Sequence, residues 1–305
     1  MNRFGLLISP FAALLLAPLL GGMINRTKAF FAGRRGQPLL QVYYDLWRLW
    51  RKESVYSRTT SCLFRIAPAL IFGLTLAATL FVPFWPLTAP IGFSGDLIVL
   101  LYLLGLARFF LILTALDTGS AFEGMGASRE AFFSALAEPV VLLCLLNIVR
   151  AHHADSLMTA LAAPALTDSI TLVLTTLPLF LILLAENARI PFDDPNTHLE
   201  LTMIHEVMIL DHSGRGLALL EYAAAIKLWI FSLILGRIIL PVSATQPILR
   251  TIVLLLLIGL VAIIVGIIES VTARVRLLKI PQLLLGAGVL AALGFFISVT
   301  HVLIR

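Results

Sequence analysis

The chain has 305 residues, 60% of them hydrophobic and 13% charged, with a mean hydropathy of +1.01 and a formal net charge of +5. Soluble domains carry roughly 25% charged residues and about 45–50% apolar ones, so an ordinary soluble enzyme is excluded and the bilayer is the solvent to reason with. Cys62 and Cys144 are too few and too far apart to ligate an iron–sulfur cluster or a structural zinc, so any redox chemistry belongs to a partner.

In chain order, apolar stretches at 4–24, 62–84, 96–116, 139–150, 169–185, 217–240, 252–268 and 283–303 predict eight spans, the fourth being the shortest. The expected fold is all-α, a polytopic membrane helix bundle of about eight transmembrane helices, forming one integral membrane domain over 1–305. Arg3 ahead of the first stretch has the look of a leader. The stretch is long and no Ala-x-Ala site follows, so it reads as a permanent helix.

Alternating spans place the loops near 25–61, 117–138, 186–216 and 269–282 on one side. These loops hold fourteen of the 22 Lys and Arg residues, against four (Arg3, Arg150, Arg250 and Arg305) on the other side. The asymmetry puts the basic loops in the cytoplasm and both termini outside. Basic residues beside spans set orientation and give no indication of nucleic acid.

The first basic loop carries Arg34 and Arg35 and then 39–53. There Leu39, Val42, Leu46, Leu49 and Trp50 form one stripe against Gln41, Asp45, Arg48, Arg51 and Lys52. Such a segment suits a helix lying in the membrane interface, either as a lipid anchor or as a docking surface. In the second loop Gly119, Gly124 and Gly126 predict an irregular turn among Asp117, Glu123, Arg129 and Glu130. Glu138-Pro139 then opens the fourth span with a carboxylate at the positive end of the helix dipole.

The third loop, 186–206, is the densest in ionisable groups. Asp194 suits a cap and Pro195 a first helical position, after which Leu199, Met203, Val207 and Leu210 share one face. His198, Thr202, His205 and Glu206 occupy the neighbouring face, which with Glu200 is too polar to face lipid. His205-Glu206-Val207-Met208-Ile209 lacks the second histidine of a zinc peptidase, and there is no Gly-x-Ser-x-Gly motif of a serine hydrolase. Arg65, Arg108, Glu221, Lys227, Arg237 and Glu269 lie in or at the ends of spans, where ionisable groups usually line polar interiors or ion paths. Arg65, Arg237 and Glu269, near span ends, read as snorkelling or capping groups; Lys227, in mid-helix, does not.

Ala185-Glu186-Asn187-Ala188-Arg189-Ile190-Pro191-Phe192-Asp193, with the continuation to Asp211-His212-Ser213-Gly214, resembles the long cytoplasmic loop of the complex I subunit 1 family. Arg34-Arg35-Gly36, Gln41-Val42-Tyr43-Tyr44-Asp45, Leu116-Asp117-Thr118-Gly119-Ser120 and Gly126-Ala127-Ser128-Arg129-Glu130 are similar to the membrane subunit of formate hydrogenlyase and hydrogenase-4 type energy-converting [NiFe] hydrogenases. The stretch Thr197–Glu206 departs from the more acidic loop common in both the quinone-reducing and many hydrogenase members, so it counts against bound quinone and against the exact subgroup alike.

The resemblance implies a multi-pass subunit of a prokaryotic cytoplasmic membrane, with no cofactor, metal or catalytic residue of its own. It would sit between an Fe–S small subunit and NiFe-type large subunit of a peripheral arm and antiporter-like membrane subunits, among membrane lipids. Asp117, Glu123, Glu138, Glu186, Asp193, Asp194, Glu200, Glu206, Glu221 and Lys227 are then candidates for proton coupling. Arg34, Arg35, Asp45, Arg129, Glu130, Arg189, His198, His205 and Asp211 are candidates for the interface with the arm. The alternatives are a quinone-site subunit of an NADH-quinone oxidoreductase and a stand-alone secondary ion transporter. A transporter calls for a matched pair of interrupted helices, and no obvious pair of matching halves is seen.

Overall fold

The computed structural model describes residues 3–84, 91–162, 169–193, 203–239 and 247–304. In chain order its helices are α1 (Arg3–Phe31), α2 (Gln41–Arg51), α3 (Cys62–Ala78), α4 (Asp96–Asp117), α5 (Ala121–Ala151) and α6 (Leu157–Ala162). There follow α7 (Ser169–Glu186), α8 (His205–Met208), α9 (Gly214–Ile239), α10 (Pro247–Val271) and α11 (Ile280–Ile304). Eight are long and apolar enough to cross a bilayer, namely all but α2, α6 and α8, and none of the described residues is in a strand.

Helix α9 is the axis of the bundle. Every residue from Leu228 to Ile238 is buried, as expected of a helix apolar on all sides. It packs on α1, α3, α7 and α10, while α5, α7 and α11 form a second layer.

Turns at one end of the bundle are tied to one another. The Ser61 N–H donates to Asp117 at 2.8 Å, the Val55 N–H to the Ser213 hydroxyl at 2.9 Å, and the Val275 N–H to the Pro191 carbonyl at 3.0 Å. All four basic loops therefore meet on one rim, as alternation of the spans requires. At the opposite end the Ser9 hydroxyl donates to the Thr79 carbonyl, and buried Asp96 accepts from the Leu157 and Met158 N–H groups at the start of α6.

A proline explains one cross-helix bond, and a second lies beside it. Pro18 in α1 has no N–H, so the Leu14 carbonyl loses its donor one turn later, and an unpaired carbonyl is costly in lipid. The Tyr222 hydroxyl of α9 donates to that carbonyl, and the Tyr43 hydroxyl of α2 donates to its neighbour at Leu15.

The largest departure from the sequence expectation is α5. The segment 117–138 is not a loop: only Thr118–Ser120 turn, with Gly119 at φ +71°, and helix then runs unbroken through Gly124, Gly126 and Pro139. Hydropathy hides this helix because Glu123, Glu130 and Glu138 interrupt it, and all three are accommodated by partners inside the protein. Glu138 thus lies in mid-helix and opens no span. The expected helix from Asp194 falls largely on residues 194–202, outside the described residues, where Asp194, His198 and Glu200 also lie. The next described helix is the single turn α8.

Candidate functional site

Four spanning helices contribute to one buried ionic cluster. Arg108, on the inner face of α4 and 8% exposed, lies 2.7 Å from Glu138 and 3.3 Å from Glu130 of α5, and pairs closely with Glu186 at the end of α7. Lys227 of α9 stands 3.8 Å from the same Glu186. Two cations thus face three carboxylates in surroundings where isolated charges are expensive, so each depends on the others for compensation.

Glu130 joins this cluster to the rim. A cavity of about 40 Å³ is bordered by Glu130, Arg108, His205 and Lys227 among apolar neighbours that include Ile71 and Leu220. A second cavity of about 20 Å³ is bordered by Glu130 again, now with Asp193, Phe192 and Ile204. A buried water needs roughly 10–15 Å³ of such space and two or more polar partners. Both cavities therefore suit water and meet at one carboxylate.

At the rim, Asp193 is 1% exposed and organises the chain around it. One carboxylate oxygen accepts from the Ile204 N–H at 3.0 Å and the His205 N–H at 3.1 Å, and the other pairs with Arg274 at 3.0 Å. Arg129 donates to the Met203 carbonyl at 3.0 Å. Gly126 allows α8 to lie against α5: a Cβ there would fall 2.2 Å from a Val207 methyl carbon. Placed by these contacts, His205 lines the larger cavity. Its own burial, then the Lys227 and Arg189 cations, push its imidazole down to about 3, so it is neutral at pH 7.

Glu206 has the opposite setting. Burial and then the Glu221 and Asp193 carboxylates push it up to about 7, against the pull of Arg189. A carboxyl poised at that value exchanges protons near neutral pH. Glu221 is exposed on α9 beside it. Arg189 reaches Glu269 of α10 at 3.5 Å, and Lys28 of α1 holds the same fully enclosed carboxylate at 2.8 Å.

The remaining candidates stay apart from the cluster. Asp117 accepts from the Ser61 N–H and hydroxyl on the exposed rim. Buried Glu123 accepts from the Asp211 N–H at 3.1 Å, with Asp211 itself exposed. Asp45 accepts from Gln41 along α2 at 2.9 Å, and Arg34 and Arg35 are exposed. Glu130 and His205, two of the candidates for the arm interface, line the cavities. Among the described residues no three His, Cys, Asp or Glu side chains converge as a metal site.

The model of a family described as NADH dehydrogenase matches residues 4–300. The chain belongs to that family. Within the family, hydrogenase-4 component C of Escherichia coli K12 is 31% identical over 94% of this chain and 93% of its own. Formate hydrogenlyase subunit 4 of the same organism is 30% identical over 91% and 92%. An NADH-quinone oxidoreductase subunit of Verminephrobacter eiseniae is 26% identical over 64% of this chain and 57% of its own. A chain of the membrane-bound sulfane sulfur reductase, an archaeal respiratory membrane complex, shares the fold with a TM-score of 0.83 at 19% identity, over 97% of this chain and 98% of that one.

Four members of these networks, Lys28, Arg108, Glu269 and Arg274, were outside the proton-coupling and interface sets read from sequence. Arg108 had the available signal, a cation in mid-span. Glu269 and Arg237 looked like end groups, yet both are buried: Glu269 between Lys28 and Arg189, and Arg237 donating to the Pro83 and Phe84 carbonyls at 2.9 and 3.1 Å. Arg65 is exposed and lies over the Tyr56 ring at 5.1 Å.

Proposed function

We propose that this protein is the anchoring and coupling subunit of a complex I-like membrane-bound hydrogenase in a prokaryotic inner membrane. It links electron transfer in an Fe–S and NiFe peripheral arm to translocation of H⁺ or Na⁺. The observation that carries this reading is Glu130, shared by a cavity that reaches Asp193 at the rim and a cavity that reaches Arg108 and Lys227 in mid-bundle. A change of charge or proton at the rim is passed inward by water and re-pairing of Glu130, because Coulomb coupling is strong where water does not screen it.

The hydrogenase-type reading is favoured over the quinone-site one by the likeness to hydrogenase-4 component C and formate hydrogenlyase subunit 4, which extends over more than nine-tenths of this chain, whereas the likeness to the quinone oxidoreductase subunit covers 64%. Purification in mild detergent, with identification of the co-purifying chains and metals, tests the assignment. Nickel with iron supports it; iron with flavin and a quinone-dependent activity overturns it in favour of the quinone-site reading. Glu130→Gln in the assembled complex is expected to retain electron transfer and lose ion translocation, and unchanged translocation refutes the relay.

A further inference from the structure

We infer that the outer face of α2 is a binding site for an anionic phospholipid of the leaflet at the basic rim. The helix is 11 residues long and none of them is fully buried. Val42, Leu46 and Leu49 lean on the bundle, while Tyr44, Trp47 and Trp50 are 57%, 65% and 49% exposed and lack any covering element among the described residues.

The depth of this face follows from its contacts with α1. Gly22 and Gly21 lie against Leu39 and Val42, whereas the Tyr43 hydroxyl reaches the Leu15 carbonyl. Leu15 lies seven residues, or about 10 Å along α1, farther into the membrane than Gly22. The Tyr43 flank of α2 therefore faces the hydrocarbon. Trp47 and Trp50 fall on that same flank, four and seven residues on, while Arg48 and Lys52 fall on the opposite one with Arg51 between.

The aromatic rings thus sit where acyl chains begin, and the cations sit at the level of phosphates, the arrangement of an interfacial anchor. Gln41, Tyr44, Trp47, Arg48, Arg51 and Lys52 border an open recess of about 620 Å³, ample for a headgroup. Over residues 32–58 six basic side chains stand against Asp45 and Glu53, and Asp45 accepts from Gln41. Zwitterionic headgroups leave that excess positive charge uncompensated; each anionic one offsets part of it.

The site is held rigidly to the rest of the protein. Gly214, at φ +53°, presses on the Lys52 and Glu53 carbonyls, and Ser213 bonds to both the N–H and the carbonyl of Val55. Lipid capture here does not depend on the coupling role of the buried charges, and its failure leaves that role untouched.

The test uses the intact complex in nanodiscs containing phosphatidylglycerol and phosphatidylcholine, with bound lipid identified by native mass spectrometry. Wild type is expected to retain phosphatidylglycerol selectively. Arg48→Gln/Arg51→Gln/Lys52→Gln is expected to lose selectivity by about 100-fold, several-fold for each charge, whereas Arg276→Gln/Lys279→Gln elsewhere on the rim keeps it. A photo-crosslinking residue at Trp47 should label lipid. Equal retention of both lipids by wild type, an unaffected triple variant, or cross-linking of Trp47 to a partner polypeptide each overturns the assignment.

Discussion

Arg108→Gln is the perturbation with the largest expected consequence. The side chain is 8% exposed and is shared by Glu130, Glu138 and Glu186, of which Glu186 is 5% exposed and Glu138 54%. Two opposite charges 4 Å apart attract by about 4 kcal/mol at an effective dielectric of 20, and deleting one member of a buried pair costs about 3–5 kcal/mol because its partner stays charged and unpaired. Glu138, at 54% exposure, is less dependent on the guanidinium than the enclosed Glu186. The loss therefore falls mainly on Glu186, left with Lys227 at 3.8 Å. Thermal inactivation of the purified complex should accelerate by roughly two to four orders of magnitude, since each 1.36 kcal/mol is a factor of ten. Arg108→Gln/Glu186→Gln should recover part of the loss, because it removes the carboxylate that the single variant strands while leaving Lys227 without Glu186. A single variant as stable as the parent, or a double variant no better than the single, refutes the account of the cluster as mutually compensated charge.

Gly126→Ala places a Cβ 2.2 Å from Val207 and 3.0 Å from the Ile204 carbonyl, an overpacking that costs about 1–3 kcal/mol. Adding Val207→Ala should restore heat resistance, and no rescue would count against the α5–α8 contact. The Glu206 carboxyl, held near pH 7 against an ordinary 4.5, is ionised in the fold less readily than in the open chain. Its contribution to stability is complete below about pH 4.5 and is lost as pH rises through 7. Wild type should therefore lose heat resistance relative to Glu206→Gln across that window, with a carboxyl band in the infrared that titrates near 7 and vanishes in the variant; parallel pH profiles contradict this. Tyr222→Phe should cost about 1 kcal/mol through the orphaned Leu14 carbonyl. Tyr222→Phe made in a Pro18→Ala background should cost almost nothing, because the alanine supplies the missing N–H; equal losses in both backgrounds argue against the proline account.

Composition and hydropathy alone determined that the chain is a membrane helix bundle of eight spans with its basic loops on one rim. The bilayer imposes a single length scale and forbids unpaired backbone, so a period of apolar residues is enough to find the spans. The acidic motif at Glu186–Asp193 and the mid-span Lys227 also stood out, since charge is conspicuous against such a background. Tertiary structure alone decided which charges meet. Arg108 and Glu186 are 78 residues apart, and Glu269 looks the same in sequence whether it snorkels or lies enclosed between Lys28 and Arg189. Helix α5 was hidden for the same reason: Glu123 and Glu130 are admissible inside a helix in the bundle because other elements receive them, and a partner brought by folding leaves no mark in the local sequence.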